Sequence, residues 1–141
     1  MVTSYSQSFT IEGRNFAQAG RASTEIKAIL KQLGIDPMTI RRVAIASYEA
    51  EMNVVMYARK AVMSFEVTPQ KINIIVEDEG PGIPDIGLAM QEGYSTATTE
   101  MREMGFGAGM GLPNIQRNAH DLKINSTVGK GTRLEITIYI N

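Results

Sequence analysis

Hydrophobic and polar positions along the chain follow two periods, and their succession lays out the elements. Ser6 to Glu12, with Phe9, Thr10 and Ile11 among polar neighbours, predicts a first strand closed by Gly13. From Asn15 to Leu33, apolar residues recur at Phe16, Ala19, Ala22, Ile26, Ile29, Leu30 and Leu33, close to the helical period. Gly34 stands where such a helix should end. Asp36-Pro37 opens a second helix, an N-cap acceptor ahead of a proline at the first helical position. Its apolar residues (Ile40, Val43, Ala46, Ala50, Val54 and Tyr57 among them) spread wider than one stripe up to about Ala58, so much of it should be buried. Ala61 to Thr68 and Lys71 to Asp78 alternate on either side of Pro69-Gln70, which predicts a hairpin.

Glycines and prolines from Gly80 to Pro84 stop that second strand, and Ile86 to Gln91 suits one helical turn. Glu92 to Phe106 is polar and without period, the pattern of a lid or binding loop. A helix from Leu112 to His120 follows, with Pro113 in its first turn. A closing hairpin then runs Leu122 to Val128, Gly129-Lys-Gly131, Thr132 to Ile140. The order β-α-α-β-β-loop-α-β-β predicts an α+β two-layer sandwich, a mixed, mainly antiparallel sheet with helices on one face. At 141 residues the expectation is one domain over the whole chain.

Composition narrows the function classes. A net charge of −1 gives no field favouring nucleic acid or an anionic membrane. No cysteine is present, which removes disulfides, thiolate metal sites and cysteine nucleophiles, and the lone His120 builds no histidine cluster. No run approaches the roughly 18–20 apolar residues that span a bilayer, and Met-Val-Thr-Ser-Tyr-Ser lacks the marks of a signal peptide. A cytoplasmic protein is the expectation. The nine methionines read as core gap-fillers.

Four short stretches carry candidate chemistry. Glu49 and Asn53, at i and i+4, share one face of the second helix. They suit Mg²⁺, which takes hard oxygen ligands, or a general base on a hydroxyl or water; a plain surface pair is the structural alternative. Glu51 lies about 200° from Glu49 around the helix and is expected to face solvent. Asp78 ends a strand at a Gly-Pro-Gly turn, fit either to accept the exocyclic amine of an adenine or merely to close the strand. Between Gly105 and Gly111 four glycines alternate with other residues ahead of a helix, an arrangement that makes either a flexible loop or a phosphate cradle of converging N–H groups. Gly131-Thr132, after its tight turn, says by itself only hairpin.

In their fixed order, Glu49-Ala-Glu-Met-Asn53, Asp78-Glu-Gly-Pro-Gly82, Gly107-Ala-Gly-Met-Gly111 and Gly131-Thr132 resemble the N, G1, G2 and G3 boxes of the GHKL ATPase superfamily. The resemblance covers residue 36 to the end. Glu77-Asp-Glu-Gly-Pro-Gly-Ile-Pro-Asp-Ile86, Glu92-Gly-Tyr-Ser-Thr96 and Gly111-Leu-Pro-Asn114 are most similar to the anti-sigma-factor serine/threonine kinases, in particular the switch kinases of stressosome partner-switching pathways. This implies the Bergerat fold, ATP and Mg²⁺ as ligands, and transfer of phosphate to a serine or threonine of a STAS-domain antagonist. The alternative it carries is an anti-sigma factor that acts by sequestering a sigma factor.

By the same resemblance, Asn53 would hold Mg²⁺ on the ATP phosphates and Glu49 would receive the substrate hydroxyl proton. Asp78 would bind adenine, with water-mediated help from Thr132, in a pocket shaped by Gly80 and Gly82. Gly107, Gly109, Gly111 and Leu112 would close over the triphosphate. Partners would be a STAS-domain scaffold or anti-anti-sigma protein, a sigma factor or a downstream phosphatase. Separately, the first strand and helix could present a shared surface for a homodimer. Thr98 to Met104 departs from the pattern as an insertion that lengthens the lid.

Overall fold

Neighbouring residues on a strand point to opposite sides, so alternation sorts one set of apolar side chains onto a common face. In the computed structural model of the chain, which describes residues 4–91 and 111–140, five strands form one sheet of order β1-β2-β3-β5-β4. They are β1 (Tyr5–Glu12), β2 (Lys60–Val67), β3 (Lys71–Glu79), β4 (Asp121–Thr127) and β5 (Gly131–Tyr139). All four ladders are antiparallel, so the mainly antiparallel sheet that was expected holds no parallel pair among the described residues. Met63, Phe65, Ile72, Ile74, Ile136 and Ile138 are almost fully buried on its inner face. Phe9 stacks on Phe65, with ring centres 6.0 Å apart.

Four helices accompany the sheet among the described residues: α1 (Arg21–Gln32), α2 (Pro37–Tyr57), α3 (Ile86–Ala89) and α4 (Gly111–Asn118). Of these, α2 is central, touching β1, β2, β3 and β5 as well as α1 and α4. Its start follows the sequence expectation: Asp36 Oδ2 accepts from the Thr39 N–H at 3.0 Å, with Pro37 at the first helical position. Its far end is pinned to the sheet margin, since Gly13 N–H donates to Arg59 O and Arg14 N–H to Val55 O, each at 2.7 Å.

The helix expected from Asn15 begins later. Phe16–Gln18 is a single 3₁₀ turn, and Gly20, at φ +90°, redirects the chain before α1 starts at Arg21. At its other end, the N–H groups of Gly34 and Ile35 return to Lys31 O and Leu30 O, the two bonds of a Schellman stop. Ile26 and Leu30, both fully buried, anchor α1 to the core, each worth about 2 kcal/mol by area burial.

Glu51 corrects the sequence reading. It does not face solvent: it is 2% exposed, and its carboxylate accepts the N–H groups of Gly20 (3.1 Å), Ala22 (3.2 Å) and Ser23 (2.9 Å). The physical reason lies in α1, whose N-cap is Gly20, without a capping side chain, and which has no acidic residue in its first turn. Its unpaired N–H groups and positive dipole end need an anion from elsewhere. Glu51→Ala should therefore lower stability by roughly 3 kcal/mol, since it strands several buried donors. Urea unfolding checks this, and Glu51→Gln, which keeps an acceptor oxygen, should lose less.

Candidate functional site

The site is laid out along α2. Glu49 and Asn53 project from one face, as their spacing requires, and the first residue of α4 sits against both. A Cβ built on Gly111 would stand 3.1 Å from Asn53 Oδ1 and 3.5 Å from Glu49 Oε2. Only a glycine lets the helix start approach that closely without the side chains giving way. Helix α4 is held there at its other end by Arg42 of α2, whose Nη1 donates to Asn118 O at 3.2 Å. Leu112 and Ile115 bury themselves in the core. Leu112 thus offers the site its backbone, not its side chain.

Glu49 is half-buried. Burial raises its carboxyl above the usual 4.5, and a hydrogen bond from the Asn114 side chain partly offsets the rise. On its other side lies an open groove of about 330 Å³ between α1 (Ser23, Thr24, Lys27) and α2 (Ile45, Tyr48, Glu49). A half-buried carboxylate that is harder to ionise than normal, facing an open groove, is equipped to accept a proton there.

The second cluster forms where β3 ends. Asp78 Oδ1 accepts the Thr132 backbone N–H at 3.0 Å. An ionised carboxylate has about four lone-pair sites, so this bond leaves capacity for a second donor. Burial raises the Asp78 carboxyl above its usual 3.8, and the Thr132 N–H offsets part of the shift. The turn after β3 is zipped to the β4–β5 turn by Gly80 N–H to Lys130 O (3.2 Å) and Gly129 N–H to Pro81 O (2.8 Å). Gly80 packs on Ala58, the C-cap of α2, and on Asp78: a Cβ there would lie 3.1 Å from Ala58 Cα and 3.2 Å from Asp78 Oδ1. Ser126, not singled out from the sequence, ties the corner together. Its Oγ accepts from the Ile83 N–H at 2.7 Å and lies 2.8 Å from Thr132 Oγ1.

Both carboxylates therefore have raised values in the folded protein. In the window between the ordinary value and the raised one, the folded state holds more protons than the unfolded one. These groups make stability fall as pH rises through that window, while their capacity to accept hydrogen bonds and protons rises.

Among the expected site residues, Glu49, Asn53 and Gly111 meet at the α2–α4 contact, and Asp78, Gly80, Gly82 and Thr132 meet at the sheet end. Gly107 and Gly109, the lid from Glu92 and the insertion at Thr98 to Met104 lie outside the described residues. No group of three His, Asp or Glu side chains able to hold a metal occurs among the described residues. Asn53 Oδ1 is a hard oxygen of the kind that could serve Mg²⁺, an ion that usually keeps phosphate oxygens and waters in its shell. Nor is any helix among the described residues long and apolar enough to cross a membrane. Asn114 was missed as a single residue, though it closes the Gly-Leu-Pro-Asn stretch and sits one turn beyond Gly111.

Comparison with known proteins agrees with this fold. Residues 14–138 match the family described as the histidine kinase-like ATPase domain. The chain is 33% identical over 111 residues to the serine/threonine-protein kinase RsbT of Bacillus subtilis, covering 76% of this chain and 77% of that one. It is 34% identical over 125 residues to the anti-sigma F factor of Caldanaerobacter subterraneus subsp. tengcongensis, covering 84% and 83%. Among solved structures, the Acinetobacter baumannii histidine kinase AdeS superimposes with a TM-score of 0.53 at 18% identity, over 96% of this chain and 68% of that one. That last likeness concerns the fold.

One glycine tests the corner at the sheet end. Gly82 has φ +76°, and a Cβ there would come within 2.5 Å of Thr127 O. Gly82→Ala should cost roughly 1–3 kcal/mol and loosen the turn beside Asp78, readable as a lower urea midpoint and faster exchange of the Gly129 amide.

Proposed function

This chain belongs to the histidine kinase-like ATPase family, and from that premise we propose that it is an ATP- and Mg²⁺-dependent protein serine/threonine kinase. Residues 1–141 act as one catalytic domain, and the substrate is a serine or threonine hydroxyl on a STAS-domain partner of a partner-switching pathway. The observation that carries the reading is the order of groups along α2. The Asp78–Gly80 corner packs at Ala58, Asn53 lies about 7.5 Å back along the helix axis, and Glu49 about 13.5 Å back at roughly 1.5 Å per residue. A nucleotide has the same order: base, then phosphates with their metal, then the terminal phosphoryl group beside a base for the incoming hydroxyl.

Asp78 accepts the adenine amine, its Oδ1 oriented by Thr132, while Gly80 and Gly82 keep that corner free of side chains. Asn53 Oδ1 would supply a hard oxygen to the metal, Gly111 and the Leu112 backbone at the head of α4 present N–H groups to phosphate, and Gly107 and Gly109, by the family resemblance, let the lid close over the triphosphate. When bound, Mg²⁺ neutralises charge on the phosphate oxygens. Glu49 takes the hydroxyl proton as the substrate oxygen bonds to the γ-phosphorus and the bond to the ADP oxygen breaks. Positioning and charge neutralisation account for the rate.

Glu49→Gln should reduce phosphoryl transfer from γ-labelled ATP to a STAS-domain substrate by at least about 10²-fold with ATP affinity unchanged; undiminished transfer refutes the base. Asn53→Ala should abolish the Mg²⁺ dependence of nucleotide binding. A base must be deprotonated, so activity falls as pH drops through the raised Glu49 value. The acid limb of the rate profile should lie above 4.5, and a limb at or below it counts against the assignment.

The anti-sigma F factor relatives favour a second reading, in which the same domain acts by binding a sigma factor and ATP selects the partner. A pull-down that recovers sigma factor, from cells whose STAS proteins stay unphosphorylated, would favour it.

A further inference from the structure

Helix α2 meets α4 at two points, and their spacing on the two helices matches. Gly111, the first residue of α4, packs against Glu49 and Asn53. Asn118, its last, offers its carbonyl to Arg42 Nη1 at 3.2 Å. Arg42 and Glu49 are two helical turns apart and so stand on one face of α2. At roughly 1.5 Å per residue they are separated by about 10.5 Å, the same as Gly111 from Asn118. The short helix therefore runs antiparallel along α2, its N-terminus at the candidate site and its C-terminus under a guanidinium. The last carbonyls of a helix lack partners within it, and a cation there answers the negative end of the dipole. Past Asn118 the chain is tied to the sheet: the His120 N–H donates to Thr137 O at 2.9 Å and the Tyr139 N–H to His120 Nδ1 at 3.0 Å. Ile115, fully buried, holds the middle of α4 to the core. Apolar burial is non-directional and resists sliding along α2 only weakly. The directional Arg42 bond fixes that coordinate.

We propose that Arg42 is a positioning residue for nucleotide phosphate. By fixing where α4 ends along α2, it sets where the N–H groups of Gly111 and Leu112 stand beside Asn53. The inference deepens the ATP reading and rests on it, because the placement of α4 matters to a ligand only if its head meets phosphate. Arg42 lies about 16.5 Å from Asn53 along the helix axis, so its effect passes through α4 and not through contact with the nucleotide. A helix transmits a shift along its length, so what is lost at Asn118 appears at Gly111. The Asp78 corner is built differently. It is held by the Thr132 N–H and by the packing of Gly80 on Ala58, with no contribution from α4. Arg42 therefore governs how tightly the phosphates are held and leaves recognition of the base alone.

Calorimetric titration of the full chain with ATP and with adenosine, Mg²⁺ present in both, tests this division. In Arg42→Ala the affinity for ATP should fall about tenfold, while that for adenosine stays at the wild-type value. Arg42→Met keeps the apolar stem and loses the donor, so it should behave like Arg42→Ala. Arg42→Lys, still able to reach one carbonyl, should recover part of the loss. A merely structural role predicts equal losses for both ligands, and that pattern overturns the proposal, as does wild-type ATP affinity in Arg42→Ala and Arg42→Met. Amide exchange without nucleotide reads the α4 end independently. The Ala119 N–H, bonded to Ile115 O at 2.9 Å, should exchange faster in Arg42→Met, and an unchanged rate overturns the anchoring role. A wild-type chain that binds ATP no more tightly than adenosine overturns the ATP reading and this inference with it. Faster exchange without an ATP-selective loss overturns the inference alone.

Discussion

The carboxylate of Glu51, buried under the first turn of α1, is the interaction on which the candidate site depends. It sits on α2 two residues from Glu49 and two from Asn53, and it accepts backbone N–H groups of Gly20, Ala22 and Ser23. An isolated anion in that position would be costly, but a helix start offers it hydrogen-bond donors and a favourable dipole at once. The pairing sets where α1 begins and how it lies on α2. It thereby sets the groove between Ser23, Lys27 and Glu49. One face of α2 thus carries the fold through Glu51 and another carries the candidate site through Glu49 and Asn53.

Three elements converge on α2, and each brings one part of the site. Helix α1 supplies the groove wall. Helix α4 brings Gly111 and Asn114 onto Glu49 and Asn53, and the end of β3 brings Asp78 and Gly80 to the helix terminus at Ala58. The two candidate carboxylates, Glu49 and Asp78, share one electrostatic character. Both are half-buried, both are harder to ionise than in water, and each is partly relieved by a single hydrogen bond, from Asn114 to Glu49 and from Thr132 to Asp78. Such groups cost the free protein some stability while they are ionised, and they respond strongly to a ligand that donates to them.

Much of this was legible in the residues. The strands follow alternation closely because one face of the sheet is buried and the other is not. The Asp36-Pro37 start and the Gly34 stop are local, so local chemistry identifies them. The candidate residues also follow from spacing: an i, i+4 pair must share a face, and the glycine that lets α4 approach it stands at the head of the next amphipathic stretch. What spacing does not carry is the partner across a gap in the chain. Glu51 was read as exposed because a helical wheel treats the side opposite Glu49 as solvent, whereas α1 occupies it. Gly20 is likewise invisible to periodicity, since Phe16 and Ala19 continue the apolar pattern through the 3₁₀ turn. Thr132 acts through its backbone N–H and Ser126 through a cross-strand hydroxyl contact, neither of which residue type or period encodes.

The central claim is that α2 lays out a nucleotide from its adenine at the Asp78 corner to its terminal phosphate at Glu49. A crystal structure with Mg²⁺ and a non-hydrolysable ATP analogue tests it most directly. The account predicts the adenine amine within hydrogen-bond distance of Asp78, the metal on Asn53 Oδ1, and the γ-phosphate closest to Glu49 among the protein carboxylates. A nucleotide bound in the reverse sense, or a metal held without Asn53, would contradict it.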